Sequence, residues 1–122
     1  MENKSQKKVL IIEDDQSLAS AYRIKLSPYF VTQNAITGDE GLKASHDWKP
    51  DLIVLDLFLP GISGQDVLKE LKKDAKTKHI PVIVLTNLEG QCDQMTEGGA
   101  VECLIKTEMT MEEILKKIKS QL

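Results

Sequence analysis

The sequence has little of what marks a membrane, secreted or nucleic-acid-binding protein. None of its apolar runs approaches the length of a membrane span, and its first residues do not form a signal peptide. Acidic residues outnumber basic ones, giving a formal net charge of −3, and no basic face is evident, which argues against direct binding to nucleic acid. We therefore expect a cytoplasmic protein.

Cysteine is also scarce. The chain has two, Cys92 and Cys103, and their spacing is not that of metal ligands. We expect two free thiols in a reducing compartment, with Cys103 a buried and inert one.

Length and composition predict a single domain. A chain of 122 residues can bury one core but has no room for a second module. Hydrophobic residues make up 41% and charged residues 29%, as in globular proteins, and no repeat or linker is visible. We expect residues 1–122 to form one domain, with residues 1–6 as a frayed tail.

Short apolar runs alternate with amphipathic stretches along the chain. Residues 9–12, 52–55 and 82–85 are apolar at every position, which is typical of strands buried on both faces. Residues 30–35 and 103–105 are weaker strand candidates. Five strands with intervening helices predict an α/β fold, a doubly wound parallel sheet in three α/β/α layers.

Helix-capping patterns mark most of the helices. Asp15 can cap the first, which Pro28 ends, and a Ser or Thr followed three residues later by Asp or Glu opens three others. These three candidate caps are Thr37, Ser63 and Thr110. Residues 91–97 are the poorest helix candidate, because the stretch is short and flanked by glycines.

Polar side chains stand where the strands end. Glu13 and Asp14 follow the first strand, Asp56 the third, Thr86 the fourth and Lys106 the fifth. In open parallel sheets the carboxyl ends of the strands share one edge, where ligands bind. Crowded carboxylates there repel one another unless a hard cation such as Mg²⁺ intervenes. The alternatives are a structural ion pair for Lys106 and an ordinary β-branched strand residue for Thr86.

Four stretches, residues 9–15, 51–64, 82–86 and Lys106, together resemble the receiver domain of two-component response regulators. The resemblance covers nearly the whole chain and implies a flavodoxin-like sheet of strand order 2-1-3-4-5. It also implies that Asp56 is the phosphoacceptor and a ligand of Mg²⁺. Asp14 would bind the ion directly, Glu13 through water, and Phe58 through its backbone carbonyl.

The resemblance further implies that Thr86 and Lys106 contact the phosphoryl group, and that Pro60 and Gly64 shape the loop after Asp56. The expected function is that of a stand-alone response regulator. A sensor histidine kinase or phosphotransfer protein would donate the phosphoryl group, and phosphorylation would switch a surface that binds a downstream protein target. Such a chain catalyses only its own phosphorylation and dephosphorylation.

The chain departs from the family pattern at several positions. Cys103 replaces an aromatic residue thought to move with the switch threonine, and Thr107 replaces a proline, so we expect a trans bond after Lys106. The segment between the last two strands is a residue or two short, which predicts a truncated fourth helix. Phe58 and Leu88, both apolar, flank the site, and we predict slow loss of the phosphoryl group.

Other classes fit the sequence less well. A phosphatase of the haloacid dehalogenase type needs a second Asp two residues after the nucleophile, where this chain has Phe58. A flavodoxin-like cofactor binder needs a phosphate loop after the first strand, where acids stand instead. A receiver piece of a larger regulator and a degenerate receiver acting as a scaffold are the remaining alternatives.

Overall fold

The computed structural model describes residues 6–87 and 89–122, with the side chain of Glu89 left aside. Five strands and five helices alternate along this part of the chain, with one-turn 3₁₀ segments before the fourth helix and after the fifth strand. The elements are β1 (Lys8–Ile12), α1 (Gln16–Leu26), β2 (Val31–Ala35), α2 (Gly38–Asp47), β3 (Leu52–Asp56), α3 (Gly64–Lys73), β4 (Val82–Thr86), α4 (Cys92–Glu97), β5 (Glu102–Ile105) and α5 (Met111–Ser120).

The strands form one parallel sheet of order β2-β1-β3-β4-β5, which confirms the predicted doubly wound fold. All five residues of β3 and of β4 are buried, because helices cover both faces of the sheet. One apolar cluster packs α2, α3 and α4 against one face, and a second packs α1 and α5 against the other. The three-layer arrangement follows from this division.

The predicted caps are present. Asp15, Ser63 and Thr110 each accept a hydrogen bond from the backbone N–H three residues on. The capping box at Thr37, in which the cap and the glutamate would each accept from the other's backbone N–H, is only half formed. Thr37 accepts from the backbone N–H of Glu40, but the Glu40 side chain accepts from the backbone N–H of Ile36 and not from that of Thr37. Within residues 6–87 and 89–122, no helix has the length and apolar character to cross a membrane.

The region after β4 is where the fold differs from expectation. The helix α4 has six residues, as the truncated segment predicts. The expectation of two free thiols is wrong: Cys92, the first residue of α4, and Cys103, on β5, form a disulfide with Cα atoms 5.3 Å apart. Because the short connection brings α4 close to β5, the two sulfurs meet. The bond from Lys106 to Thr107 is trans, as predicted, since the described residues contain no cis peptide bond.

Candidate functional site: an acidic pocket at the strand ends

The strand order reverses between β1 and β3, which lie side by side in register from Val9 with Leu52 to Ile12 with Leu55. The chain leaves these two strands on opposite faces of the sheet, which opens a crevice at their carboxyl ends. The acids that follow or end both strands therefore meet there. One oxygen from each of Glu13, Asp14 and Asp56 lies within 4.8 Å of the others.

A single ammonium group joins this cluster from the end of β5. Nζ of Lys106 lies 3.1 Å from Oε1 of Glu13 and 3.2 Å from Oδ1 of Asp56. The partners Lys106 and Glu13 are 93 positions apart in the chain, so only the sheet topology can join them. The ion pair considered from the sequence is present, and it places the ammonium of Lys106 beside Asp56.

Burial sets the electrostatics of the pocket. Glu13 is 2% exposed and Asp56 5%, whereas Asp14 is exposed to solvent. Burial, together with the negative charge of Asp56, raises the pKa of Glu13 to about 7 despite the nearby lysine. Burial lowers the pKa of Lys106, but Asp56 and Glu13 outweigh this effect and the net pKa is raised. One ammonium therefore faces two buried carboxyl groups and an exposed third.

This donor set fits a hard divalent cation. The three side chains offer carboxylate oxygens, the ligands that Mg²⁺ prefers in proteins, and their mutual repulsion falls when a cation is bound. The exposed side of the cluster, at Asp14, leaves room for the water ligands that Mg²⁺ retains. Glu13 already bonds to Lys106 and accepts from the backbone N–H of Asp15 at 3.2 Å, which agrees with a less direct part in metal binding.

The loop after β3 closes tightly around Asp56. The backbone N–H of Phe58 donates to Oδ1 of Asp56 at 3.4 Å, which places this stretch of main chain beside the carboxylate. The N–H of Gly64 donates to the carbonyl oxygen of Leu57 at 3.0 Å. A side chain at Gly64 would collide with the carbonyl oxygen of Asp56 and lie 2.6 Å from Cα of Leu57, so this position requires glycine.

The remaining predicted residues are located as follows. Thr86 is fully buried at the end of β4, next to Ile105 of β5 and hence close to Lys106 in the sheet. Phe58, two residues after Asp56, is 61% exposed. Leu88, the other apolar residue expected to flank the site, lies outside the described residues. The expectation of slow phosphoryl loss remains a prediction.

Sequence reasoning missed a residue that supports the acid pair. The side-chain amide of Asn34, on β2, lies within hydrogen-bond distance of three carbonyl oxygens: Ile11 at 3.0 Å, and Glu13 and Ala35 at 3.2 Å each. It therefore holds the backbone where β1 ends and the acids begin. A signal was available, since asparagine is uncommon in strands and this one stands one residue from the end of β2.

Fold and site together define a doubly wound α/β protein with an acidic pocket, suited to a divalent cation, at its switch point. Comparison with known proteins agrees with this description of the fold and the site. The model of the response regulator receiver domain family matches residues 9–119. The chain is 35% identical over 120 residues to the polar-differentiation response regulator DivK of Brucella anthropi, covering 95% of this chain and 96% of DivK.

Two further similarities extend this result. The chain is 33% identical over 102 residues to the response regulator PleD of Caulobacter vibrioides, with 81% of this chain covered, but it spans only 22% of PleD. A crystal structure of a response regulator from Chloroflexus aurantiacus superimposes with a TM-score of 0.89 at 26% identity, covering 96% of this chain and 98% of the other.

The chain belongs to the response regulator receiver domain family. It is thus a signalling domain of the two-component type. Receiver domains bind Mg²⁺ at an acidic pocket and interact with histidine kinases or phosphotransfer proteins and with downstream targets.

Proposed function

We propose that this chain is a phosphorylation-dependent switch in which Asp56 accepts a phosphoryl group from a phosphohistidine. The donor would be a sensor histidine kinase or a phosphotransfer protein. One observation carries the proposal: a buried carboxylate, Asp56, lies in a cluster with two further acids and 3.2 Å from the ammonium of Lys106. A phosphoryl group bound there would be close to both the ammonium and the metal site.

The transfer is a displacement at phosphorus. An Oδ atom of Asp56 attacks, a new P–O bond forms, and the P–N bond to the donor histidine breaks. The histidine nitrogen keeps the electron pair of that bond and takes up a proton, and Asp56 becomes an acyl phosphate. Lys106, already 3.2 Å from Oδ1 of Asp56, neutralises charge on the transferring oxygens and needs little movement to do so.

The metal site would consist of Asp14, Asp56, the backbone carbonyl of Phe58 and, through water, Glu13. Mg²⁺, when bound, supplies charge neutralisation for the phosphoryl oxygens. The support for these ligands is the proximity of the three carboxylates and of the Phe58 main chain to Asp56. Glu13 would also have a second role, because burial raises its pKa and so lets its carboxyl group hold a proton when the cation is absent.

Switching would begin at Thr86. A phosphoryl group adds about 1.5 to 2 negative charges and new acceptor oxygens beside this residue. The Thr86 hydroxyl can donate a hydrogen bond to one of them, and its movement would shift the balance between two arrangements of β4, α4, β5 and α5. The output would be binding of a protein partner to that surface.

The test is labelling by a small phosphoryl donor. Incubating the chain with acetyl phosphate and Mg²⁺ should add one phosphoryl group, read by intact mass spectrometry. Asp56→Asn and a chelator should each abolish the label. Asp66→Asn is the matched control, because this aspartate lies nearby on α3 but is exposed to solvent, and it should label like the unchanged chain.

Two results would overturn the proposal. Labelling of Asp56→Asn at the rate of the unchanged chain would place the phosphoryl group elsewhere. Labelling that persists at full rate in the chelator would remove the metal from the reaction.

A further inference from the structure

The disulfide joins two elements that lie beside the proposed switch. Cys92 opens α4, and Cys103 pairs in register with Val84 on β4, two residues before Thr86. The bond therefore ties α4 to the strand beside the one that carries the switch threonine. Both cysteines are half-buried, and Cys103 packs against the apolar cluster beneath α4, so the bond lies at the edge of the core and not within it.

Among the described residues, the contacts that hold α4 are limited. The helix has six residues, and no side chain caps it at Gln91. Met95 is its one buried side chain, and the side-chain hydrogen bond from Gln65 to Gln91 is exposed to solvent. Since helices this short are unstable on their own, the covalent link to β5 adds a restraint to a segment that is otherwise held mainly by the packing of Met95.

We propose that Cys92 and Cys103 form a reversible thiol–disulfide site that sets the mobility of α4. The chemical class of ligand is a small thiol and its disulfide, such as reduced and oxidised glutathione. Disulfides that are partly accessible to solvent exchange more readily than fully buried ones, and both of these cysteines are half-buried. For its effect on signalling, though not for the chemistry itself, the inference rests on the proposed function.

The exchange balances as two displacements at sulfur. A glutathione thiolate attacks one sulfur of the pair, the S–S bond breaks, and the other cysteine leaves as a thiolate that takes up a proton. A second glutathione thiolate then attacks the mixed disulfide and releases oxidised glutathione. The protein gains two electrons and two protons, and two glutathiones are oxidised.

The two states should differ in how α4 responds to phosphorylation. The crosslinked form holds α4 against β5, so a shift at Thr86 cannot carry α4 with it. The reduced form removes that constraint, and α4 can move. Signal output would then require both a phosphoryl group and a reduced pair.

Hydrogen exchange measured by mass spectrometry tests this on the full chain. The chain is equilibrated with glutathione at several ratios of reduced to oxidised form, free thiols are trapped with iodoacetamide, and the fraction of closed disulfide is measured. Amides of residues 92–97 should exchange at least about tenfold faster in the reduced form, whereas those of α3 should not change. Cys103→Ser should exchange like the reduced chain at every ratio.

Phosphorylation is then added as a second variable. Acetyl phosphate should change exchange in α4 of the reduced chain and leave it unchanged in the oxidised chain. A disulfide that opens only after the chain unfolds in denaturant, or equal exchange of α4 in both states, would overturn the inference. If neither state accepts a phosphoryl group, the proposed function fails, while the exchange data without phosphoryl donor still decide the redox site.

Discussion

The buried acid Glu13 offers a direct measurement of the charge balance in the pocket. Its pKa is raised from 4.5 to about 7, first by burial and then by Asp56. The folded protein therefore holds a proton on Glu13 between about pH 4.5 and 7 that the unfolded chain has released. Without Mg²⁺, this group's contribution to stability is present below pH 4.5 and is lost as the pH rises through 7.

The size of this loss of stability follows from the pKa shift of Glu13. Since each pKa unit corresponds to about 1.4 kcal/mol, the ionised pocket should be up to about 3 kcal/mol less favourable at pH 8 than at pH 4.5, relative to the unfolded chain. The steepest slope is about 1.4 kcal/mol per pH unit. Replacing Glu13 by the neutral Gln removes this titration. Lys106 then retains Asp56 as its partner at 3.2 Å.

The assay is urea unfolding with a chelator at half-unit steps from pH 4.5 to 8. The difference in unfolding free energy between Glu13→Gln and the unchanged chain should shift in favour of the variant by up to about 3 kcal/mol across this range. Groups that the substitution leaves unchanged contribute equally to both chains and cancel in the difference. Glu70→Gln, which changes an exposed glutamate on α3, should show no such trend.

A flat difference between Glu13→Gln and the unchanged chain would refute the reasoning, because it would mean that Glu13 is ionised at the same pH in both the folded and unfolded states. Addition of Mg²⁺ at pH 8 should stabilise the unchanged chain more than the variant. Equal stabilisation of both would separate Glu13 from the metal site.

Three further predictions concern stability and labelling. Gly64→Ala should slow phosphorylation by acetyl phosphate and destabilise the chain by about 1–3 kcal/mol, since the added methyl collides with the end of β3. Gly90→Ala, with open space around it, should do neither. Equal effects of the two substitutions would contradict this account. Lys106→Met should lower the unfolding free energy by about 3 kcal/mol at pH 8 in chelator, because it leaves two buried carboxylates without a positive partner. The loss, measured by urea unfolding, should be smaller at pH 5, where the buried glutamate is protonated. A gain in stability would show that the ion pair is dispensable. Reducing the bond between Cys92 and Cys103 should lower the unfolding free energy by about 3 kcal/mol if the folded segment keeps its order. A change below about 0.5 kcal/mol would contradict this, because it would mean that the folded chain gains as much freedom on reduction as the unfolded chain does.

Most of the fold could be predicted because its determinants are local. An apolar run without alternation, as in residues 52–55, predicts a strand buried on both faces whatever lies far along the chain. The capping oxygen of Ser63 or Thr110 sits three residues from the N–H that it accepts from, so the beginning of each helix is visible in a short window. The capping box predicted at Thr37 was only half right, because Glu40 accepts from the backbone N–H of Ile36 instead of that of Thr37.

Much of the candidate site was predictable for a topological reason. Carboxyl ends of parallel strands share an edge, so Asp14, Asp56 and Lys106 had to approach one another once the strands were recognised. Asn34 escaped notice because two of its three acceptors, the carbonyls of Ile11 and Glu13, lie on β1 and just after it, and their positions relative to Asn34 depend on the register between β1 and β2.

The sequence by itself determined the order of strands and helices, their caps, and the acids and lysine at the strand ends, because these depend on periodicity and on neighbours a few residues away. Only the tertiary structure decided that the two cysteines bond to each other and that the pocket raises the pKa of Glu13. Both depend on distances and burial that arise when separate segments pack: the sulfurs of Cys92 and Cys103 bond across two elements, and Glu13 loses its water to the helices and strands around it.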